Sequence, residues 1–313
     1  MTGPNMSTFV HANDIGDAWL QAYRALIKVP GHHIVNLAVS IDEPLQEDLG
    51  VRGALENTLA GLTTSTRNAS WHSVHTVANT IFPISLYRPG RPDAVQRFFE
   101  RAGQVSRLHH KRKHEWGTYI GRLIQYEGHD GKEINQLEQF LALLNGDTNW
   151  ADGYEAPLTY PGEVSSAGDG QCEDLESKAA TSDLLLMGPD DRRRRGGPCL
   201  AHVSLTSVDG SLHLTALYRR HHYLARAYGN FLGLARLLNF LAYESGRKVG
   251  KMLVVGTHAE IEPGPHQADL TMLLNSATVA QGDVRPIEVA ARPLGASWRD
   301  LDLPSSSTPA SRP

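Results

Sequence analysis

The sequence predicts an α+β fold in a single domain over residues 1–300. Three observations carry that reading. Two alternating runs hinged on Asp209-Gly210, "CLAHVSLTSVDGSLHLTALYRR" (199–220), spell a β-hairpin. Residues 223–246 make one long apolar helix, stopped by Gly246. Strand and helix patterns of ordinary length flank these on both sides, without an internal repeat.

In chain order, "DIGDAWLQAYRALIKV" (14–29) sets Trp19, Ala22, Tyr23, Leu26 and Ile27 at helical spacing, with Asp14 placed to cap. Gly31 breaks the chain before a strand over 32–41. Residues 73–82 are apolar and fit a helix or a strand. A helix is expected over 93–105, a strand over 117–128, and a helix over 132–146 that ends at Gly146. Pro, Gly, Ser and acidic residues dominate 148–180, which reads as a long irregular surface insertion. "DLLLM" (183–187) reads as a short buried strand. After the hairpin and the long helix come a strand over 248–258 and a last helix over 266–277. Residues 301–313, rich in Pro and Ser, read as a disordered tail.

The chain has 313 residues, 41% hydrophobic and 20% charged, an ordinary globular composition. A net charge of −4 argues against a protein that coats nucleic acid. Two cysteines, Cys172 and Cys199, make no disulfide framework and point to reduced thiols in a cytoplasmic setting. The first thirty residues lack the basic start and apolar core of a signal peptide. No run approaches the apolar length of a membrane span, so none is expected.

Cys199 carries the chemical interest. It opens the hairpin directly after Arg192 to Arg195, two glycines and Pro198. A thiol near guanidinium groups is what a thiolate nucleophile needs, because positive neighbours lower its pKa. A structural cysteine beside a basic loop has the same sequence. The order that follows separates the two readings. A Pro-Cys, an Asp-Gly turn ten residues on, Arg219 ten residues after the turn, Asn230 eleven later on a helix, and Thr257-His258 after the next strand resemble thymidylate synthase. Gly250 falls on a family glycine. Upstream, "GTYIGRLIQYEGHDGKEINQLEQFLALLNG" (117–146) resembles the family segment that carries an active-site tyrosine, which places Tyr119 there.

The resemblance implies a twisted mixed sheet with helices on one face and a homodimer across the bare face. It implies a pyrimidine nucleotide as substrate and 5,10-methylenetetrahydrofolate as cofactor. Cys199 would be the nucleophile, adding to carbon 6 so that carbon 5 attacks a one-carbon unit, with methylation or hydroxymethylation as the outcome. Tyr119 would assist proton removal. Arg219, with Arg220, Arg194 and Arg195, would hold phosphate. Asn230, able to donate and accept, would read a uracil-type base. His258 and Glu260 would hold the sugar, and His222 falls where the family has a folate-side aspartate.

The chain also departs from the family. Residues 73–82 hold no acid where the family's folate-side glutamate falls, and Glu260 stands in place of a tyrosine. A second reading is therefore a family-like protein that binds a nucleotide or a protein partner without catalysis. The basic run 107–116 reads as a solvated face, Cys172 as an idle thiol, and the scattered histidine pairs lack the spacing of a zinc motif.

Overall fold

The computed structural model describes residues 8–65, 71–110, 118–128, 131–146, 154–159 and 198–290. In chain order the elements are β1 (Phe9–Ala12), α1 (Ile15–Lys28), β2 (His33–Ile41), β3 (Gln46–Asp48), α2 (Leu49–Ser65) and α3 (Val74–Ile81). There follow α4 (Ala94–His110), α5 (Tyr119–Ile124), β4 (Tyr126–Glu127), β5 (Glu133–Ile134), α6 (Gln136–Asn145) and β6 (Glu155–Pro157). The remainder is β7 (Leu200–Val208), β8 (Ser211–Tyr218), β9 (His221–His222), α7 (Ala227–Glu244), β10 (Lys248–Glu260), α8 (Gln267–Ala280) and β11 (Val284–Pro286). Single-turn 3-10 segments occupy Pro30–His32 and Ile84–Leu86.

A mixed sheet organises the domain, in the order β1-β2-β10-β8-β7-β6, with β9 also paired to β10. β1 runs parallel to β2 and β8 parallel to β10, while β2–β10, β7–β8 and β6–β7 are antiparallel. Alternation along the strands sends one face to the core: Leu37, Val39, Val203, Leu212, Ala216 and Tyr218 are fully buried. The opposite face is open, with Val35 and Leu217 exposed. This is the α+β arrangement that the sequence predicts, a twisted mixed sheet with helices against one face.

Helix α7 lies at the centre, buried on every side from Ala227 to Ala242. That burial explains its continuous apolar run, since it has no solvent face to mark. α3 crosses it closely at Gly229 and Gly233, where an added Cβ would meet the backbone oxygens of Val74 and Ala78 at 2.7 Å. α1 is capped as its sequence predicts, with Asp14 accepting from the Asp17 N–H. Trp19 of α1 stacks on Tyr23 and donates its indole N–H to the Tyr223 carbonyl at 2.7 Å, tying α1 to the start of α7.

The structure corrects one element and resolves another. The strand expected over 117–128 is mostly helix α5, started by Thr118, whose hydroxyl accepts from the Gly121 N–H, and followed by the two-residue β4. All six residues of α5 are buried, Arg122 included, so the helix has no solvent face to mark its period. Residues 73–82 are helical, with Ser73 as the cap. Within the stretch read as irregular, β6 pairs with β7 as the edge of the sheet. Helix α2 has no counterpart in the sequence reading, although Asp48 marks its start: one carboxylate accepts from the N–H groups of Gly50, Val51 and Gly282. The strand expected at 183–187 and the tail 301–313 lie outside the described residues.

Candidate functional site

The hairpin sets the geometry of the site. Asp209 and Gly210 both have positive φ, 48° and 74°, as a two-residue primed turn requires. The turn fixes the register, Val208 opposite Ser211 and Leu200 opposite Tyr218, with one irregularity between Leu200 and His202. Cys199 and Arg219 are thereby neighbours across the strands: the Arg219 N–H donates to the Cys199 carbonyl at 2.8 Å. Arg219 also folds its guanidinium onto the Pro198 carbonyl, with Nε at 3.2 Å and Nη2 at 2.9 Å.

Cys199 is half-buried and outside any disulfide. Tyr119, in the first turn of α5 and buried, brings its hydroxyl to the next residue, accepting weakly from the Leu200 N–H at 3.5 Å. Tyr218 lies beneath them. Burial drives its phenol well above the usual range, and the nearby Tyr119 and Cys199 push it the same way. Cys199, Tyr119, Tyr218 and Arg219 are thus neighbours at the mouth of the hairpin.

A second cluster gathers at the far end of β10. Glu260 Oε2 meets His258 Nε2 at 3.1 Å, while Oε1 faces Arg220 Nε and His222 Nδ1, each at 3.5 Å. The His258 ring stacks on His33 of β2 with centroids 5.5 Å apart. Thr257 joins the clusters, its hydroxyl donating to the Arg219 carbonyl at 2.7 Å. Arg220, His222 and His258 therefore gather around the Glu260 carboxylate, next to the Cys199 cluster. Asn230 sits near the start of α7, 4% exposed, with its backbone N–H donating to the Arg226 carbonyl at 2.9 Å. Arg194 and Arg195 lie outside the described residues.

Four residues that the sequence reading passed over belong here: His33, Tyr218, His221 and Glu262. Glu262 accepts from the N–H groups of Leu224 and Ala225 at 2.9 and 2.8 Å, holding the loop that leads into α7 and Asn230. Burial raises its pKa, and His222 and these backbone donors oppose the rise. Glu262→Ala leaves two N–H groups without an acceptor, at about 1–3 kcal/mol each. The expected result is a loss of about 2–4 kcal/mol in urea unfolding, with proteolytic cleavage opening around residues 222–226 while α1 stays protected.

The region around α3, where the resemblance sets a folate-side glutamate, is different. Two polar residues of α3, His75 and Asn79, are bonded to the buried guanidinium of Arg236 at 3.0 and 3.5 Å, and Arg236 also reaches the Glu288 carbonyl. α3 is closed against α7 and presents no carboxylate, and His222 is turned toward Glu260 and Glu262. The residues on α3 do not fit methylenetetrahydrofolate, since the helix offers no carboxylate and the side chains of His75 and Asn79 are taken up by Arg236. Among the described residues, no group of three or more His, Cys, Asp or Glu is placed to hold a metal ion, and no helix is long and apolar enough to cross a membrane.

No protein-family model matches the chain. One curated protein, named "Putative thymidylate synthase", from Methanosarcina barkeri (strain Fusaro / DSM 804), is 32% identical to this chain over 73 residues. The match covers 23% of this chain and 34% of that protein, so the chain spans about a third of the length of the curated relative it matches. The likeness and the mixed sheet are compatible with a thymidylate synthase-like fold.

Proposed function

We propose that the protein acts on carbon 5 of a pyrimidine nucleotide through a covalent adduct of Cys199 at carbon 6. The observation that carries the reading is the cross-strand pairing of Cys199 with Arg219, with the Tyr119 hydroxyl one residue away. Carbon 5 of a pyrimidine is a poor nucleophile. Addition of the thiolate to carbon 6 moves the double-bond electrons through carbon 5 onto the carbon-4 oxygen as an enolate. An electrophilic one-carbon donor would then be attacked by carbon 5, its π electron pair passing to the donor's own heteroatom; loss of the carbon-5 proton re-forms the enolate, which expels the sulfur as thiolate. In this reading Tyr119 relays that proton. Arg219 moves from the Pro198 carbonyl to the phosphate, a charge-assisted and bidentate exchange. Asn230 reads the carbonyl and N–H edge of a uracil-type base.

The sugar falls to Glu260 and His258, whose carboxylate accepts from ribose hydroxyls once Arg220 and His222 give way. Arg220, Arg194 and Arg195 add positive charge on the phosphate side. The family resemblance would bring methylenetetrahydrofolate as the one-carbon donor and a homodimer through the open sheet face around Val35 and Leu217, and the cysteine usage a cytoplasmic setting. Since α3 offers no carboxylate, no step here runs through the folate, and the reading rests on the nucleotide side.

The test is a covalent trap. Incubation with 5-fluoropyrimidine ribo- and deoxyribonucleotides, with and without methylenetetrahydrofolate, is expected to give an adduct on the Cys199 peptide by mass spectrometry. Cys199→Ala removes it, and Arg219→Ser weakens nucleotide binding more than ten-fold, the loss of about 1.5–3 kcal/mol from a charged hydrogen bond. Absence of an adduct with every nucleotide, together with unchanged nucleotide binding by Cys199→Ala, would support a binding protein without catalysis.

A further inference from the structure

Tyr218, the last residue of β8, buries a hydroxyl that the fold itself does not use. The side chain is fully buried, and its oxygen has no hydrogen-bond partner among the described residues. A buried donor in that state costs about as much as a lost hydrogen bond until an acceptor meets it. The ring is held firmly. It stacks on His221 of β9, centroids 4.3 Å apart and planes 9° from parallel, and Tyr223 and Phe231 brace that imidazole edge-on. The imidazole does not serve the hydroxyl, since both of its nitrogens also lack a partner among the described residues. Across the hairpin, Tyr218 pairs with Leu200, the residue after Cys199.

A thiolate at Cys199 needs donors. The residue is half-buried, and an anion that gives up part of its hydration is disfavoured unless hydrogen bonds replace the lost water. Three titratable neighbours besides Tyr218 surround the place. Arg219 lays two guanidinium N–H groups on the Pro198 carbonyl, and the proposed function sends it to the phosphate. Tyr119 reaches in from α5, its hydroxyl accepting from the Leu200 N–H. His221 is a neutral imidazole at working pH, because burial brings its pKa down to about 3. Tyr218 differs from all three. Burial, with Tyr119 and Cys199 pushing the same way, keeps its phenol protonated, so its O–H stays a donor throughout the range in which a thiolate forms.

We propose that the Tyr218 hydroxyl is the hydrogen-bond donor reserved for the Cys199 sulfur when that sulfur is an anion, which makes Tyr218 a positioning residue for the nucleophile. No proton is transferred. The phenol stays neutral, and the same charge-assisted bond steadies the sulfur before it attacks and after it leaves. The catalytic meaning of this bond rests on the proposed function of Cys199, whereas the ionisation of the thiol is read without any nucleotide present.

Tyr218→Phe in the full chain tests it. Alkylation of the Cys199 peptide by iodoacetamide is followed by mass spectrometry from pH 5 to pH 10, with the Cys172 peptide of the same sample as the reference thiol. The variant is expected to move the Cys199 profile up by about one pH unit, a ten-fold loss of thiolate on the acid side, and to leave the Cys172 profile in place. Urea unfolding at pH 7 is expected to show stability unchanged or raised, since phenylalanine keeps the stack and removes a hydroxyl without a partner among the described residues. Raised stability with an unmoved Cys199 profile would overturn the proposal and leave an unsatisfied core hydroxyl. An equal shift in both thiols, or a marked loss of stability, would overturn it as well. The nucleotide reading is judged apart from this: a shifted Cys199 profile supports the role of Tyr218 even where no 5-fluoropyrimidine adduct forms, and an unmoved profile beside a normal adduct sinks that role alone.

Discussion

His221→Phe is expected to stabilise the protein, and to do so more at pH 5 than at pH 7. His221 is 1% exposed and stacks on Tyr218 with centroids 4.3 Å apart and planes 9° from parallel. Tyr223 and Phe231 meet it edge-on. Neither ring nitrogen has a partner among the described residues. A buried donor or acceptor left in that state costs about 1–3 kcal/mol, and phenylalanine removes both while keeping the stack. Burial brings the imidazole pKa from 6.5 down to about 3, with His222 contributing.

The sign of the pH dependence follows from that depression. Above pH 6.5 the ring is neutral whether the chain is folded or unfolded, so titration adds nothing. As pH falls, the unfolded ring takes up a proton that the folded ring refuses, and stability drains away until the folded pKa is reached. With those two pKa values the loss is about 2 kcal/mol at pH 5 and about 3 kcal/mol at pH 4. Asp14, Glu47 and Glu262 have carboxyls raised by burial and favour the folded state on acidification. The whole-protein curve therefore mixes both signs, and the difference between wild type and His221→Phe isolates the imidazole. Urea unfolding at pH 7, 6 and 5 measures it. A difference that stays constant with pH would show that His221 titrates normally.

Gly229→Val is expected to cost about 3 kcal/mol or more, and Gly229→Ala about 1–2 kcal/mol after helix propensity returns part of the loss. A Cβ at this position would lie 2.5 Å from the Val77 Cβ and 2.7 Å from the Val74 carbonyl oxygen. The Val74 oxygen belongs to the backbone of α3 and cannot swing aside. Relief requires α3 and α7 to part, and Asn230 is the next residue along α7. On the proposed reading of Asn230, both variants lose nucleotide affinity along with stability. Thermal unfolding and nucleotide titration on the same samples check the coupling. Full stability with Gly229→Val would mean the helices cross less tightly than the structure has them.

Local chemistry was legible in the sequence. The Asp209-Gly210 turn, the Asp14 cap and the stop at Gly246 each act within a few residues, and each sits where the pattern predicts. The pairing of Cys199 with Arg219 followed from counting along that hairpin. Elements without a polar face were harder: α5 is buried all round and read as a strand. β6 is three residues of an edge strand ending at Pro157, too short to show alternation. Glu262 escaped notice because its partners, Leu224 and Ala225, are 38 and 37 residues away in sequence. The same holds for His33, brought to His258 only when β2 pairs with β10.

The two-residue bend at the hairpin tip also works as a ruler. Successive side chains point to opposite sides of a strand, so one inserted residue there would turn the sulfur's neighbours from one side to the other. Two inserted residues would keep the sides and slide the guanidinium one notch past the thiol. Substitutions at Val208 and Ser211 cost the molecule little by comparison, whereas the count of residues between Cys199 and Arg219 is the quantity that descent with modification cannot freely change.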